Sequence, residues 1–278
     1  MTQLWCNGQW LDASDFPVSP TDRGMILGLG LFETILAIDG VPIFAERHLA
    51  RLQANCQRLG WHLDQPDLTA IMQQLIDRNE LTTGRARIRL AISSGSGPVN
   101  DLALGANYLL WMTAVPAAVA PLTTTANLSP WAKNERSPLA GLKCASYAEN
   151  IVALAHATRL GFEETIFLNT TGQLCETATA NLFLVKNGGI LTPHLNSGCL
   201  PGITRAVVIE LARQLAIPCQ ECDLTPADLH AADEIFLTSS IRSLMGISQF
   251  EQRNLPPGVI TGTLRDAWTL AIHQPGDG

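Results

Sequence analysis

The stretch Val115-Pro-Ala-Ala-Val-Ala-Pro121 places two prolines in seven residues and ends all hydrophobic periodicity in a chain that is patterned on both sides of it. Proline removes a backbone donor and fixes φ, so neither a helix nor a central strand runs through such a stretch. It divides a chain of 278 residues, a length that favours two hydrophobic cores over one. The sequence therefore predicts a smaller N-terminal α/β domain over 1–115, a linker at 116–121 and a larger C-terminal domain over 122–278.

Before the break, Asn7-Gly8 interrupts the apolar run from Leu4 to Leu11, and Asp39-Gly40 separates Leu31–Ile38 from Val41–Phe44. Both are hairpin signals. The period then becomes helical, with Leu49, Leu52, Cys56 and Leu59 on one face and Leu68, Ile71, Met72, Leu75 and Ile76 on another. Arg85 to Ser93 alternates strictly and reads as a half-exposed strand. Its arginines, Arg85, Arg87 and Arg89, read as a solvated face, with an anion site as the alternative. A further strand is expected over 107–114.

After the break, strands and helices alternate. Helices are expected over about 146–160, 203–215 and 262–271, and strands over 165–168, around 181–185, 189–191 and 233–237. The chain is thus of the α/β (α+β) class.

Net charge is −7, and the arginines are scattered rather than clustered, which argues against nucleic acid and for a small-molecule ligand. No apolar run reaches the length of a membrane span, because Gly28, Gly30, Glu33 and Thr34 interrupt Met25 to Ile38. The first residues show no secretory pattern, so a cytoplasmic location is expected. Seven cysteines at irregular spacing suit buried thiols in a reducing compartment. Cys219 and Cys222 follow Ile217-Pro218 in an expected strand and read as structural rather than as a redox pair or half of a zinc site. No metal is expected.

Chemistry concentrates in three segments. Lys143, one of three lysines in the chain, lies among small and apolar residues in Pro138-Leu-Ala-Gly-Leu-Lys-Cys-Ala-Ser-Tyr-Ala-Glu-Asn150. Desolvation disfavours an ammonium, the condition under which a lysine forms a Schiff base with an aldehyde. Leu200-Pro-Gly-Ile-Thr-Arg205 opens a helix, and a helix N-terminus attracts phosphate, although glycine and threonine there are also ordinary capping choices. Glu176, in Gly172-Gln-Leu-Cys-Glu-Thr-Ala-Thr-Ala-Asn181, is a carboxylate in an apolar setting and needs a cationic partner. A pyridinium nitrogen is one candidate.

Taken in order, these segments resemble the fold-type IV, class IV pyridoxal-phosphate enzymes, whose fold is that of D-amino-acid aminotransferase. The group includes branched-chain and D-amino-acid aminotransferases and 4-amino-4-deoxychorismate lyase. The resemblance spans Asn7-Gly8 to Ser240 and implies pyridoxal 5'-phosphate as cofactor, a small-molecule amine as substrate and a homodimer. It implies that Lys143 forms the Schiff base and then moves the proton, that Tyr147 hydrogen-bonds the cofactor's phenolic oxygen, and that Glu176 pairs with the ring nitrogen. Phosphate binding falls to Arg51 in Glu46-Arg-His-Leu-Ala-Arg-Leu52, to Ile203 and Thr204, and to Ser240 in Phe236-Leu-Thr-Ser-Ser240, where the family often has threonine. Thr34, Ser239 and Ile241 are candidate substrate contacts.

Asp22-Arg-Gly-Met-Ile-Leu-Gly-Leu-Gly-Leu-Phe-Glu-Thr34 resembles the lyase and D-amino-acid enzymes, and Leu36 stands where branched-chain enzymes typically carry arginine. Ser94-Gly-Ser-Gly-Pro98 lacks the Arg-x-His of the D-amino-acid enzymes and resembles the lyase's glycine-rich loop, although the arginine expected in that loop is missing. Cys56-Gln-Arg-Leu59 and Pro138 to Lys143 also resemble the lyase, whereas Leu200 to Arg205 and Ser146-Tyr147 are shared with the aminotransferases. The expected activity is therefore aminodeoxychorismate lyase, forming p-aminobenzoate and pyruvate. The alternative is transamination of D-amino acids, branched-chain amino acids or R-amines. A cofactor-binding protein without turnover is disfavoured, because Lys143 and Glu176 are both present.

Overall fold

Asn7 and Gly8 adopt left-handed backbone, φ 44° and 86°, and turn β1 (Gln3–Cys6) into β2 (Gln9–Asp12). Asp39 and Gly40 do the same, φ 46° and 83°, between β3 (Gly30–Ile38) and β4 (Val41–Pro42). Glycine reaches this region without a Cβ clash, which is why the pairs Asn-Gly and Asp-Gly signal hairpins. In this computed structural model the described residues are 2–63, 66–105 and 107–273. They form two compact units, one comprising the chain through Val119 together with Leu142–Tyr147, the other comprising Ala120–Gly141 and the chain from Ala148 onward.

The first unit adds β5 (Arg85–Ser93) and β6 (Leu110–Pro116) to give an antiparallel sheet of order β2-β1-β6-β5-β3-β4. Strands β3 and β5 pair from Gly30↔Ser93 to Ile38↔Arg85, so the alternation read in 85–93 fixes which side chains of both strands share a face. Ahead of β3, α1 (Arg23–Leu27) is capped by Asp22, whose carboxylate accepts from Gly24 N at 2.7 Å. Helix α2 (Ala45–Arg58) buries His48, Leu52, Asn55 and Cys56 and packs on β3. Helix α3 (Leu68–Arg78), capped by Asp67, buries Leu68, Met72, Leu75 and Ile76 against β1 and β6. Each such fully buried leucine contributes about 1.5–3 kcal/mol.

Lys143, which the sequence division assigns to the C-terminal domain, has its backbone on the first unit. Phe32 N donates to Lys143 O at 2.9 Å and Ala145 N donates to Gly30 O at 2.8 Å, extending β3's edge with a short bridge at Leu31 and Cys144. The backbone donors and acceptors at the start of β3 capture the segment, a partner that no local pattern announces.

The second unit contains β7 (Thr123–Lys133), α4 (Ala148–Arg159), β8 (Glu164–Asn169), β9 (Leu174–Thr177), β10 (Asn181–Lys186) and β11 (Gly189–Pro193). Then follow α5 (Ile203–Gln214), β12 (Cys219–Cys222), α6 (Pro226–Ala231), β13 (Glu234–Ser239), β14 (Ser243–Phe250), β15 (Arg253–Asn254) and α7 (Val259–His273). Its mixed sheet has the order β12-β11-β10-β13-β14-β7-β8-β9, with β15 beside β14. The core is built on Ile166, Leu182, Leu184, Ile235, Leu237 and Phe250, and Phe183 stacks on its cross-strand partner Phe236 with ring centroids 4.8 Å apart.

Several elements depart from expectation. β6 begins at Leu110 rather than 107 and runs through Pro116, which ends the strand and so loses no ladder bond within it. β7 carries Pro130 and was not signalled, because a proline argues against a strand; the register shift between Leu128 and Ala132 accommodates it. Cys219 and Cys222 are free thiols on edge strand β12, where a spacing of three places them on opposite faces.

Candidate active site

In the first unit the candidate residues gather on β3. Phe32 and Thr34 share one face of the strand, and Arg89 of β5 stands opposite Thr34. The Phe32 ring carries the Lys143 ammonium 4.5 Å from its centroid, the Arg89 guanidinium at 3.9 Å and the Tyr147 ring edge-on at 5.9 Å. The face of an aromatic ring attracts cations, so Phe32 orients both basic groups. Lys143, Tyr147 and Thr34 are half-buried.

The other face of β3 presents Glu33, which is fully buried. Its two oxygens accept from Arg51 Nε at 2.9 Å and Arg51 Nη2 at 2.6 Å, and His48 Nδ1 lies 2.7 Å from Oε2. Burial alone would raise the Glu33 carboxyl, but its bonds to His48 and Arg51 hold it below the ordinary carboxylate range. Burial pushes His48 below its ordinary value, against the pull of Glu33, and the charges of Arg51 and Lys143 push the same way. Arg51, the expected phosphate ligand, is thus fixed in place by Glu33.

In the second unit, Glu176 ends β9 with Oε2 accepting from Leu200 N at 2.9 Å and Oε1 bonded to Lys133 Nζ. Asn181, the first residue of β10, donates through Nδ2 to Leu200 O at 2.8 Å. A Cβ on Gly202 would lie 2.0 Å from Asn181 Oδ1, so only glycine permits this approach. Gly202 is the N-cap of α5 and no side chain caps the helix, which leaves the amides of Ile203 and Thr204 for an anion. Thr204 is buried and Ile203 half-buried. Helix α5 packs on β13, whose end carries Ser239, followed by Ser240 and Ile241, all half-buried. The pairing of Asn181 with Thr238 sets that end beside the start of β10. Glu176, Ile203, Thr204 and Ser240 thus come together at one end of the second sheet.

The chemistry of each unit suits pyridoxal 5'-phosphate: the second offers a carboxylate fixed by a backbone amide for a ring nitrogen and an uncapped helix for a phosphate, and the first offers an amine on an aromatic face for an aldehyde. The buried Thr238 hydroxyl, two residues before Ser240, has no hydrogen-bond partner among the described residues and adds a donor at the same end. No group of side chains among the described residues is arranged to hold a metal ion.

Sequence reasoning passed over Glu33, His48 and Lys133. Lys133 ends a strand that no local pattern signals, yet it is the cation beside Glu176. The sequence places Arg89 on a solvated face. The structure keeps much of it exposed but lays its guanidinium on Phe32, and burial there, with Arg87 alongside, lowers its pKa below the ordinary arginine value while Tyr147 opposes the shift. The alternation of 85–93 was the available signal, since it set Arg89 on the face of β3 that carries Phe32.

The comparisons with known proteins agree with this chemistry. The family described as amino-transferase class IV matches residues 30–250. The chain is 26% identical over 256 residues to the aminodeoxychorismate lyase of Bacillus subtilis, covering 90% of this chain and 87% of the relative. It matches the crystal structure of a branched-chain aminotransferase from Thermoproteus uzoniensis with norvaline at a TM-score of 0.91 and 25% identity, covering 98% and 94% of the two chains. An aminotransferase from Brucella abortus bound to PLP matches with a TM-score of 0.85 and 26% identity, covering 98% and 99%. A match over most of the chain, together with the residues suited to the cofactor, means that this protein belongs to the class IV aminotransferase family, enzymes that use pyridoxal 5'-phosphate.

Proposed function

We propose that the protein is an aminodeoxychorismate lyase, releasing pyruvate and leaving p-aminobenzoate. The observation that carries this reading is Leu36, 1% exposed on β3 where the resemblance puts a branched-chain enzyme's arginine. A buried leucine offers no donor to a substrate carboxylate. The Ser94–Pro98 segment supplies no Arg-x-His in its place, and the buried Arg23 guanidinium binds that segment through the carbonyls of Ser94 and Gly95, at 2.9 and 3.0 Å.

When bound, pyridoxal phosphate supplies an aldehyde for the substrate amine and a ring that accepts the electrons of the breaking bond. Lys143 would take the proton from the carbon that bears the amine. Glu176, its carboxylate fixed by Leu200 N and Lys133, would keep the ring nitrogen protonated. Tyr147 would donate to the phenolic oxygen. Arg51, the Ile203 and Thr204 amides, the Thr204 hydroxyl and Ser240 would hold the phosphate, and Thr34, Ser239 and Ile241 would contact substrate.

Transamination is the second reading, supported by the likeness to the Thermoproteus branched-chain enzyme. The two are separated by incubating the holoenzyme with aminodeoxychorismate, D-alanine, L-leucine or an R-amine. Pyruvate and p-aminobenzoate released over many turnovers, with the cofactor's visible band retained, support the lyase. Bleaching of that band by an amino acid or R-amine without a keto acceptor, and no p-aminobenzoate, overturns it.

We further infer a cytoplasmic homodimer. The free cysteines suit a reducing compartment, and α1 exposes Met25, Ile26 and Leu27, a surface that a second copy would cover. No helix among the described residues is long and apolar enough to cross a membrane.

A further inference from the structure

Arg242 lies in the turn between β13 and β14, two residues after Ser240, and has no role in the site as described above. Its Nη2 donates to Glu164 Oε2 at 2.7 Å and also meets the Thr179 hydroxyl, which itself donates to the same Glu164 oxygen at 2.6 Å. Glu164 is fully buried at the start of β8, and its other oxygen accepts from Thr165 N at 3.2 Å. The guanidinium is therefore gripped at one nitrogen by a carboxylate that cannot move into solvent. Its Nε and Nη1 meet no acceptor among the described residues, and the side chain is 27% exposed.

An arginine placed only to neutralise a buried carboxylate ordinarily spends its fork on both oxygens. Arg51 does so on Glu33, through Nε to one oxygen and Nη2 to the other. Arg242 instead keeps its remaining donors for a further acceptor, already oriented by Glu164 and Thr179.

The position of those donors is set by the fold. Thr179 lies three residues after Glu176, in the loop that leads into β10, and Asn150 Nδ2 anchors that loop through Ala178 O at 2.6 Å. Arg242 N donates to Ser239 Oγ at 3.3 Å, which tightens the turn that follows β13. Because Asn181 pairs with Thr238, this loop and this turn adjoin at the sheet end where Glu176, Thr204 and Ser240 gather.

We propose that Arg242, held by Glu164 and Thr179, is the group that binds the substrate's carboxylate and restricts this enzyme to amines that carry one. The proposal deepens the reading above by naming the substrate class of the same site. Its test uses binding without turnover, so it stands or fails apart from the lyase assignment.

The probes are 4-methylvalerate, a carboxylate without an amine, and isoamylamine, an amine without a carboxylate, titrated calorimetrically into the holoenzyme of the wild type and of R242K, R242Q and the double variant E164Q/R242Q. The double variant removes both charges, so it folds even where R242Q leaves a buried carboxylate unpaired. Loss of a charge-assisted hydrogen-bonding pair predicts that 4-methylvalerate binds about tenfold or more weakly to R242Q and to the double variant, and within about threefold of wild type to R242K. Isoamylamine should bind all four proteins alike. Undiminished carboxylate binding in the double variant, an equal loss for both probes, or no saturable carboxylate binding to the wild type overturns the proposal.

Discussion

Each unit holds a buried carboxylate that fixes a neighbour of the candidate residues, Glu33 in the first and Glu176 in the second, and the two carboxylates are treated differently. Glu33 in the first unit has no exposed surface, and both of its oxygens are occupied by side chains of α2, His48 and Arg51. Glu176 in the second unit keeps 10% of its side chain exposed and is held by a backbone amide at one oxygen and by Lys133 at the other. A carboxylate enclosed by charged partners braces its neighbours, because removing it leaves their charges buried. One fixed by a backbone amide and a single lysine keeps its orientation while part of its surface remains open to a ligand. The contrast predicts that Glu33 matters chiefly to stability and Glu176 chiefly to chemistry.

Glu33→Ala is the most damaging change to folding on this view. It strands Arg51 and His48 and should cost about 3–5 kcal/mol in denaturant unfolding. A loss below about 1 kcal/mol would break the contrast.

Glu176→Gln, which keeps an oxygen for Leu200 N, should lower kcat by about 10²–10³ while the thermal midpoint moves by only a few degrees. Steady-state kinetics and a melt of the holoenzyme check both halves, and a collapse in stability matching that of Glu33→Ala would erase the distinction.

Gly202→Ala sharpens it further, since the added methyl meets Asn181 Oδ1 at 2.0 Å beside the uncapped end of α5. It should cost about 1–3 kcal/mol through overpacking. It should also weaken retention of pyridoxal phosphate during dialysis; unchanged retention would remove the phosphate role from this helix end.

The smallest effect is that of pH. His48 lies below its ordinary 6.5 in the folded chain because burial disfavours the imidazolium, so the unfolded chain binds more protons as pH falls below that value. Stability is undiminished above 6.5 and is lost progressively below it. Glu33, held below its ordinary 4.5, adds a contribution of the same sign that is present above that value and disappears as pH falls through its lower folded value. Denaturant midpoints at pH 8, 6 and 5 should therefore decline in the wild type and decline less in His48→Gln; parallel curves would remove His48 as the titrating group.

What could be read in the sequence follows from the range of the interactions. Asn7-Gly8 and Asp39-Gly40 encode their turns locally, and the alternation of 85–93 encodes a strand and the side on which Arg89 stands. The first turn of α5 was legible because glycine before an apolar helical pattern is a local signal. Strand β7 was not, because Pro130 contradicts a strand unless a register shift absorbs it, and that shift depends on β8. Lys133 beside Glu176 and Arg242 beside Glu164 join residues 43 and 78 positions apart, beyond any periodicity.

The sequence by itself determined the fold class, the scarce amine at Lys143, the acid at Glu176 and the helix terminus at Ile203 and Thr204, because short-range sterics and residue chemistry specify each of them. Only the tertiary structure decided that the backbone of Lys143 pairs with β3, that Arg51 is braced by Glu33, and that Arg242 is fixed by Glu164 and Thr179. Those outcomes depend on which buried charges meet once the strands have paired. A buried charge must find a partner wherever the fold provides one, and sequence distance plays no part in that choice.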